Sequence, residues 1–187
     1  GSCFPKDTLA LAQTGQKLGA PQTLVEQVVS VNDQRQKSMA TRIIDACGGD
    51  VKGKTIGILG VSFKPNTDDV RAAPSLVVIP ALQEAGATIV AHDPVAMEEA
   101  EKQLKNVSWK GNAYEVADKA DCLVIMTEWN EFRGLDLARI HDAMNTPCLV
   151  DLRNIYTIDD MNQRGFHYVS IGRPALDRQI SSLKAAS

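Results

Sequence analysis

Three short stretches of this 187-residue chain gather side chains that can do chemistry. The opening Ser2-Cys3-Phe4-Pro5-Lys6-Asp7 puts a thiol, an amine and a carboxylate within one turn, beside a helix start. Helix N-termini and neighbouring cations favour the thiolate, the form of cysteine that attacks a carbonyl carbon. The same residues equally suit structural work, Asp7 as a helix N-cap and Cys3 as a small buried apolar side chain. The second stretch, Phe63-Lys64-Pro65-Asn66-Thr67-Asp68-Asp69-Val70-Arg71, carries two cations, two adjacent carboxylates and an aromatic ring. Pro65-Asn66 is ordinary turn chemistry. Phe63 and Lys64, however, follow an apolar run directly, where a lysine can meet a phosphate or sugar hydroxyl and a ring can stack on a base. The third stretch, Asp151-Leu152-Arg153-Asn154, brings another cation to the end of another apolar run. Cations converging on one rim suit a diphosphate.

The elements that must position these groups read as follows. Asp7 and Thr8 are good caps for a short helix ending at Leu18, before Gly19-Ala20-Pro21. A longer helix is expected from Pro21 to Cys47, stopped by Gly48-Gly49. Leu24, Val25, Val28 and Val29 give it one apolar face, which Met39, Ile43, Ile44 and Cys47 resume after the polar Asn32–Ser38. Such a helix is roughly 40 Å long. It is either a surface helix with a solvated middle or a connector between domains or subunits. From Lys52 onward strands and helices alternate: strands at 55–60, 88–91, 107–109, 122–126, 148–150 and 168–171, helices at 75–85, 95–104, 113–119, 135–144 and 158–163. Alternation with short turns predicts an α/β fold, a Rossmann-like parallel sheet covered on both faces and preceded by a long connecting helix. The chain divides on this reading into 1–50 and 51–187.

Composition narrows the function classes. Net charge is −3 with 44% hydrophobic residues and interspersed charges, which leaves no basic block for nucleic acid or an anionic membrane. No apolar run approaches a bilayer span. The four cysteines, Cys3, Cys47, Cys122 and Cys148, are far apart in sequence and form no C-x-x-C pair. That spacing argues against a disulfide framework or a structural zinc and points to a reducing cytoplasm. Cys47, Cys122 and Cys148 lie in apolar runs and are expected in the core; His92, His141 and His167 show neither metal spacing nor an evident role. Gly57 and Gly60 end the first strand as G-x-x-G, without the third glycine of a dinucleotide fingerprint. Asp93, ending the second strand, resembles a ribose-binding carboxylate, but the 61–74 loop is too long for a tight pyrophosphate turn. The domain therefore reads as a degenerate nucleotide-binding domain.

Taken together, GSCFPKD at 1–7, GVSFKPNTDDVRAAPS at 60–75, TEWNEFRGLDL at 127–137 and DLRNIY at 151–156 resemble the UDP-glucose/GDP-mannose dehydrogenase family, over its C-terminal portion. The resemblance implies oxidation of a sugar C6 alcohol to a carboxylate with two NAD, the UDP-glucose branch fitting Phe4 and Lys64-Pro65-Asn66 better than the GDP-mannose branch. By matching position, Cys3 corresponds to the nucleophile that carries the thiohemiacetal and thioester, and Asp7 to a carboxylate orienting water. Lys6 and Arg71 correspond to contacts with NAD, and Phe63, Lys64 and Arg153 to contacts with the nucleotide sugar. Ala72-Ala73 departs from the acidic or serine residue that often follows the loop arginine, leaving the partner of Arg71 open. The resemblance further implies a homodimer through the 21–47 helix, an NAD-binding half outside this chain, and no activity from this chain alone. A stand-alone nucleotide-sugar binding module is the alternative from another class.

Overall fold

The computed structural model describes residues 3–174; Gly1 and Ser2 of the opening motif, and the last part of the 51–187 segment from 175 onward, lie outside the described residues. The sheet consists of β1 (Thr55–Leu59), β2 (Thr88–His92), β3 (Val107–Trp109), β4 (Cys122–Ile125), β5 (Cys148–Asp151) and β6 (His167–Ser170). Its order is β3-β2-β1-β4-β5-β6 and every neighbouring pair is parallel. This is the doubly wound order, in which the direction of winding reverses between β1 and β4. The reason is legible in the central strands. Side chains alternate between faces, and both sets are apolar, so the strands are stable only when covered on both sides. Ile56, Ile58, Val124 and Val150 join one buried cluster, whereas Leu59, Leu123, Ile125 and Leu149 join the other.

The helices fill those two layers. The chain opens with α1 (Cys3–Lys17) and α2 (Thr23–Ala46), followed by α3 (Ser75–Glu84), α4 (Met97–Gln103), α5 (Ala113–Ala117), α6 (Asn130–Arg133), α7 (Leu137–Ala143) and α8 (Ile158–Gln163). Local caps set several starts: Asn112 accepts from the Glu115 N–H, Asp136 from those of Ala138 and Arg139, and Thr157 from that of Asp160. Each oxygen satisfies a donor that the first helical turn leaves without a partner.

Two differences from the sequence reading concern the opening segment. The first helix begins at Cys3, four residues before Asp7, so Asp7 and Thr8 are not its caps. Pro5 sits in the first turn, where a missing N–H costs nothing, and the Thr8 hydroxyl folds back onto the carbonyls of Phe4 and Pro5 at 2.9 and 3.0 Å. Cys3 is exposed rather than a core residue. The long α2 divides into two parts. Ala40 and Ile43 are buried in the sheet's core, with Met39, Ile44 and Cys47 beside them, while Leu24, Val28 and Val31 are exposed. A third difference is the single turn α6, which buries Phe132 completely before α7 begins at Leu137. The expected helix from 135 thus starts two residues later.

The second strand ends in a buried anchor. Asp93 is fully buried, and its carboxylate accepts from the backbone N–H groups of Val61 (2.8 Å), Ser62 (3.0 Å), Val95 (3.0 Å) and Ala96 (2.8 Å) and from the Trp129 indole (3.2 Å). No oxygen remains for a ribose, so Asp93 corrects the sequence expectation: it is a structural clamp. Burial opposes its ionisation, but the four backbone donors outweigh burial and hold its carboxyl below the usual range. Gly60 completes the junction. At φ +84° it adopts a left-handed conformation, and a Cβ there would stand 2.5 Å from that of Thr127.

Asp93→Asn replaces an acceptor by an NH₂ among buried donors and is expected to lower stability by about 2–4 kcal/mol in urea denaturation. The folded carboxyl titrates below its unfolded value of about 4, so its stabilisation is complete above that pH and is lost as pH falls through the folded value. Stability should therefore decline more steeply on acidification below about pH 4 in the parent than in Asp93→Asn. Parallel slopes would exclude the clamp as described.

Candidate functional site

The clamp fixes the loop that leaves β1. Phe63 N–H donates to the Asp69 carbonyl at 2.8 Å, Ser75 Oγ to the Val61 carbonyl at 2.6 Å, and Thr127 Oγ1 to the Ser62 carbonyl at 2.7 Å. Asn66 and Ala72 take left-handed backbone conformations, at φ +62° and +56°, to turn the chain twice within the loop. The loop is thereby tied at its start, middle and end, and Phe63 and Lys64 are held at the carboxyl edge of the sheet.

There they line a cavity of about 420 Å³. Arg153 joins them from the turn after β5, Met126 from the end of β4, and Pro5 from the first turn of α1. This is the sheet's switch point, where an open α/β fold presents its ligand crevice. The fourth wall is α2, through Asn32, Arg35, Gln36 and Met39. Arg35 adds a third cation beside Lys64 and Arg153, and among the described residues no carboxylate lines the space. The sequence reading missed these α2 residues, although the signal was present. The polar stretch Asn32–Ser38 interrupts an otherwise apolar spacing, and part of it faces the cavity instead of merely facing water. A larger hollow of about 500 Å³, between α2 and His167 and Val169, carries none of the expected site residues.

Arg153 is preorganised. Its backbone N–H donates to Asp151 Oδ1 at 2.9 Å, and Asp151, fully buried, also accepts from Tyr156 N–H at 3.1 Å and Tyr168 O–H at 2.8 Å. Its guanidinium hydrogen-bonds and ion-pairs with Glu128. Burial pushes the Glu128 carboxyl up, but the hydrogen bond and charge of Arg153, with Arg133 behind it, carry it below the usual range. Burial and the Asp151 charge push both tyrosine hydroxyls well up, so they act here as donors: Tyr156 to the Phe132 carbonyl and Tyr168 to Asp151.

The remaining expected site residues form a second group on the rim. Lys6 and Asp7 pair with each other at 3.8 Å and are largely exposed. Arg71 is gripped by Asp69 through two hydrogen bonds of 2.9 and 3.0 Å, which identifies the partner that the sequence left open. Cys3, exposed in the first turn of α1, lies near Arg71. None of Cys3, Lys6, Asp7 and Arg71 lines the cavity; Pro5, two residues from Cys3, joins the groups. His92, given no role from sequence, is buried, with Nδ1 at 3.0 Å from the Lys110 carbonyl and Nε2 at 3.1 Å from Glu131.

Among the described residues no cluster of His, Cys, Asp and Glu is arranged to hold a metal, and no helix is long and apolar enough to cross a membrane. Two models of one protein family match separate parts of the chain. Residues 57–158 match the UDP binding domain of the UDP-glucose/GDP-mannose dehydrogenase family, and residues 1–34 match that family's central domain. The chain is 53% identical over 174 residues to UDP-glucose 6-dehydrogenase of Rhizobium meliloti, covering 93% of this chain and 40% of the relative. It is 40% identical to UDP-glucose 6-dehydrogenase TuaD of Bacillus subtilis, over 94% of this chain and 38% of the relative. A UDP-glucose dehydrogenase structure from Pyrobaculum islandicum superposes with a TM-score of 0.75 at 32% identity, covering 90% of this chain and 37% of that one. The chain thus spans about two fifths of the length of the curated relatives it matches. On these grounds the chain belongs to the UDP-glucose/GDP-mannose dehydrogenase family.

Proposed function

We propose that this chain supplies the nucleotide-sugar pocket and the nucleophile of an NAD-dependent dehydrogenase that oxidises UDP-glucose to UDP-glucuronate. One observation carries the reading: Phe63, Lys64 and Arg153, distant in sequence, line a single cation-rich cavity at the switch point, with the first turn of α1 at its edge. Lys64, Arg153 and Arg35 would hold the diphosphate. Charge-assisted bonds to phosphate are about twice as strong as neutral ones, and the planar guanidinium adds geometric selectivity. Arg153 would exchange or share its Glu128 partner when the anion enters. Phe63 offers a ring face to the base or sugar.

The sugar's C6 would extend toward the rim. Cys3, exposed at a helix N-terminus beside Arg71, is suited to add as a thiolate to an aldehyde carbon. It would hold that carbon as a thiohemiacetal and then as a thioester, which water cleaves with Asp7 orienting the attack. The chemistry NAD supplies is the acceptance of a hydride in each of two oxidations. This chain's own sheet does not fit a dinucleotide, because its G-x-x-G turn lacks the third glycine and Asp93 is fully engaged. We therefore assign Lys6 and Arg71 to the near side of an NAD held chiefly by a segment outside residues 1–187, and expect no turnover from residues 1–187 alone. The exposed Leu24, Val28 and Val31 of α2, with Leu9 and Leu11 of α1, suit a dimer contact along this helix pair.

Calorimetric titration of the purified chain should detect UDP binding, with GDP at least about tenfold weaker; tighter GDP binding would reassign the substrate. Lys64→Ala and Arg153→Ala should each weaken UDP about tenfold to a hundredfold. Co-expression with the NAD-binding half of a relative should restore NADH formation from UDP-glucose, and Cys3→Ser should abolish it while UDP affinity is unchanged. Turnover by the 187-residue chain alone would refute the division of labour. Sedimentation at micromolar concentration should give a dimer that Val28→Glu dissociates.

A further inference from the structure

At the opposite edge of the sheet, three of the four cysteines converge. Cys122 and Cys148 open β4 and β5, one position before the paired Leu123 and Leu149, and both thiols belong to the buried cluster that α2 covers. Cys47 caps the C-terminus of α2, half-buried, and the Cys148 thiol lies 3.5 Å from the carbonyl of the preceding Ala46. Cys122 donates to the Leu123 carbonyl at 3.8 Å, and the three thiols lie near enough to perturb one another's ionisation. A cavity of about 310 Å³, lined by Cys47, Cys148, Lys54, Asp121 and His167, gives access to Cys47 and Cys148. The distances between these cysteines in sequence, which argued against any pairing, are thus cancelled by the fold.

We propose that Cys47 and Cys148 form a peroxide-reactive dithiol site that closes to a disulfide between the end of α2 and the start of β5. The neighbouring Cys122 and Cys148 thiols, reinforced by the Lys54 charge, draw the Cys47 thiol well below its ordinary range against the effect of burial. Lys54 Nζ donates to the Cys47 carbonyl at 2.6 Å, which holds that charge at the helix end. Cys148 is pulled down by Cys122, but the nearby Cys47 and its own burial carry it up, so it stays a thiol and Cys47 is the attacking sulfur. The Cys47 thiolate attacks the terminal oxygen of a hydroperoxide. The O–O bond breaks, leaving Cys47 as a sulfenic acid, and the departing alkoxide or hydroxide takes a proton from solvent. The Cys148 sulfur then displaces hydroxide from the Cys47 sulfur; with the Cys148 proton it leaves as water. Two thiols lose two electrons, and the hydroperoxide gains them. Cys122, fully buried, donates to the Leu123 carbonyl and is not consumed.

The test uses the full chain carrying Cys3→Ser, so that the exposed thiol at the other edge does not react. After treatment with hydrogen peroxide and alkylation, non-reducing peptide mass spectrometry should find a Cys47–Cys148 link, two hydrogens lighter than the separate peptides, and Cys122 alkylated. With Cys148→Ala, dimedone should trap a sulfenic acid at Cys47; with Cys47→Ser, Cys148 should remain a thiol. Cys47 of the folded chain should react with peroxide at least about tenfold faster than in urea. Thermal melting verifies that each variant is folded. A folded chain whose Cys47 remains a thiol, or a link from Cys122 in place of Cys148, would overturn the assignment.

Discussion

The interaction on which the rest depends is the buried carboxylate of Asp93. A charge away from water is tolerated only when donors surround it, and here the donors come from three segments: the turn after β1, the turn after β2, and the Trp129 indole before α6. Satisfying one carboxylate therefore fixes three loops on the same edge of the sheet. In a dinucleotide fold a carboxylate at this position faces the ligand. Turned inward, it releases the β1 loop from the need to hug a pyrophosphate, and the loop can lengthen enough to bring Phe63 and Lys64 over the switch point. The long loop and the lost fingerprint are one structural event.

The cavity that results is built from unlike supports. Phe63 and Lys64 hang on a loop braced by Ser75 and Thr127, Arg153 on a turn braced by Asp151, and Arg35 on a long helix braced only in its second half. The Glu128 pair occupies the Arg153 guanidinium without quenching the cavity's positive potential, because Lys64 and Arg35 also line it. A half-buried ion pair of this kind is worth little to stability. It keeps the guanidinium oriented, which lowers the entropy that must be lost when an anion binds.

Much of this was legible in the sequence, for physical reasons. Uninterrupted apolar runs such as Cys122–Met126 can be satisfied only between two helical layers, so the parallel sheet followed from pattern alone. Phe63, Lys64 and Arg153 were legible as one group because each lies in the segment leaving a strand's carboxyl end, and parallel strands send all those ends to one edge. What escaped were the features set by tertiary partners. Asp93 has the same sequence signature whether it faces a ribose or the Trp129 indole. Arg35, in a polar run on a helix, looks the same facing solvent as facing a cavity. The start of α1 at Cys3 was missed because Asp7-Thr8 made a plausible cap, while Pro5, a good first-turn residue, was the better boundary signal. The cysteine cluster was invisible because sequence distance says nothing about register between β4 and β5.

The same geometry explains why one helix meets two distant chemistries. A five-residue strand such as β1 is about 16 Å long, and the stretch of α2 from Arg35 to Cys47 rises about 18 Å. Because α2 packs across the sheet, it reaches from the carboxyl edge, where Arg35 lines the cation-rich cavity, to the amino edge, where Cys47 lies beside Cys148. Between them Ala40 and Ile43 are buried against the strands, and a close-packed contact of that kind resists sliding. The helix is therefore a rigid strut whose ends are held in fixed relation. Its position is set once, by burial of its central face. Both edges inherit that position, and the thiols are kept a full strand's length from the cation-rich cavity.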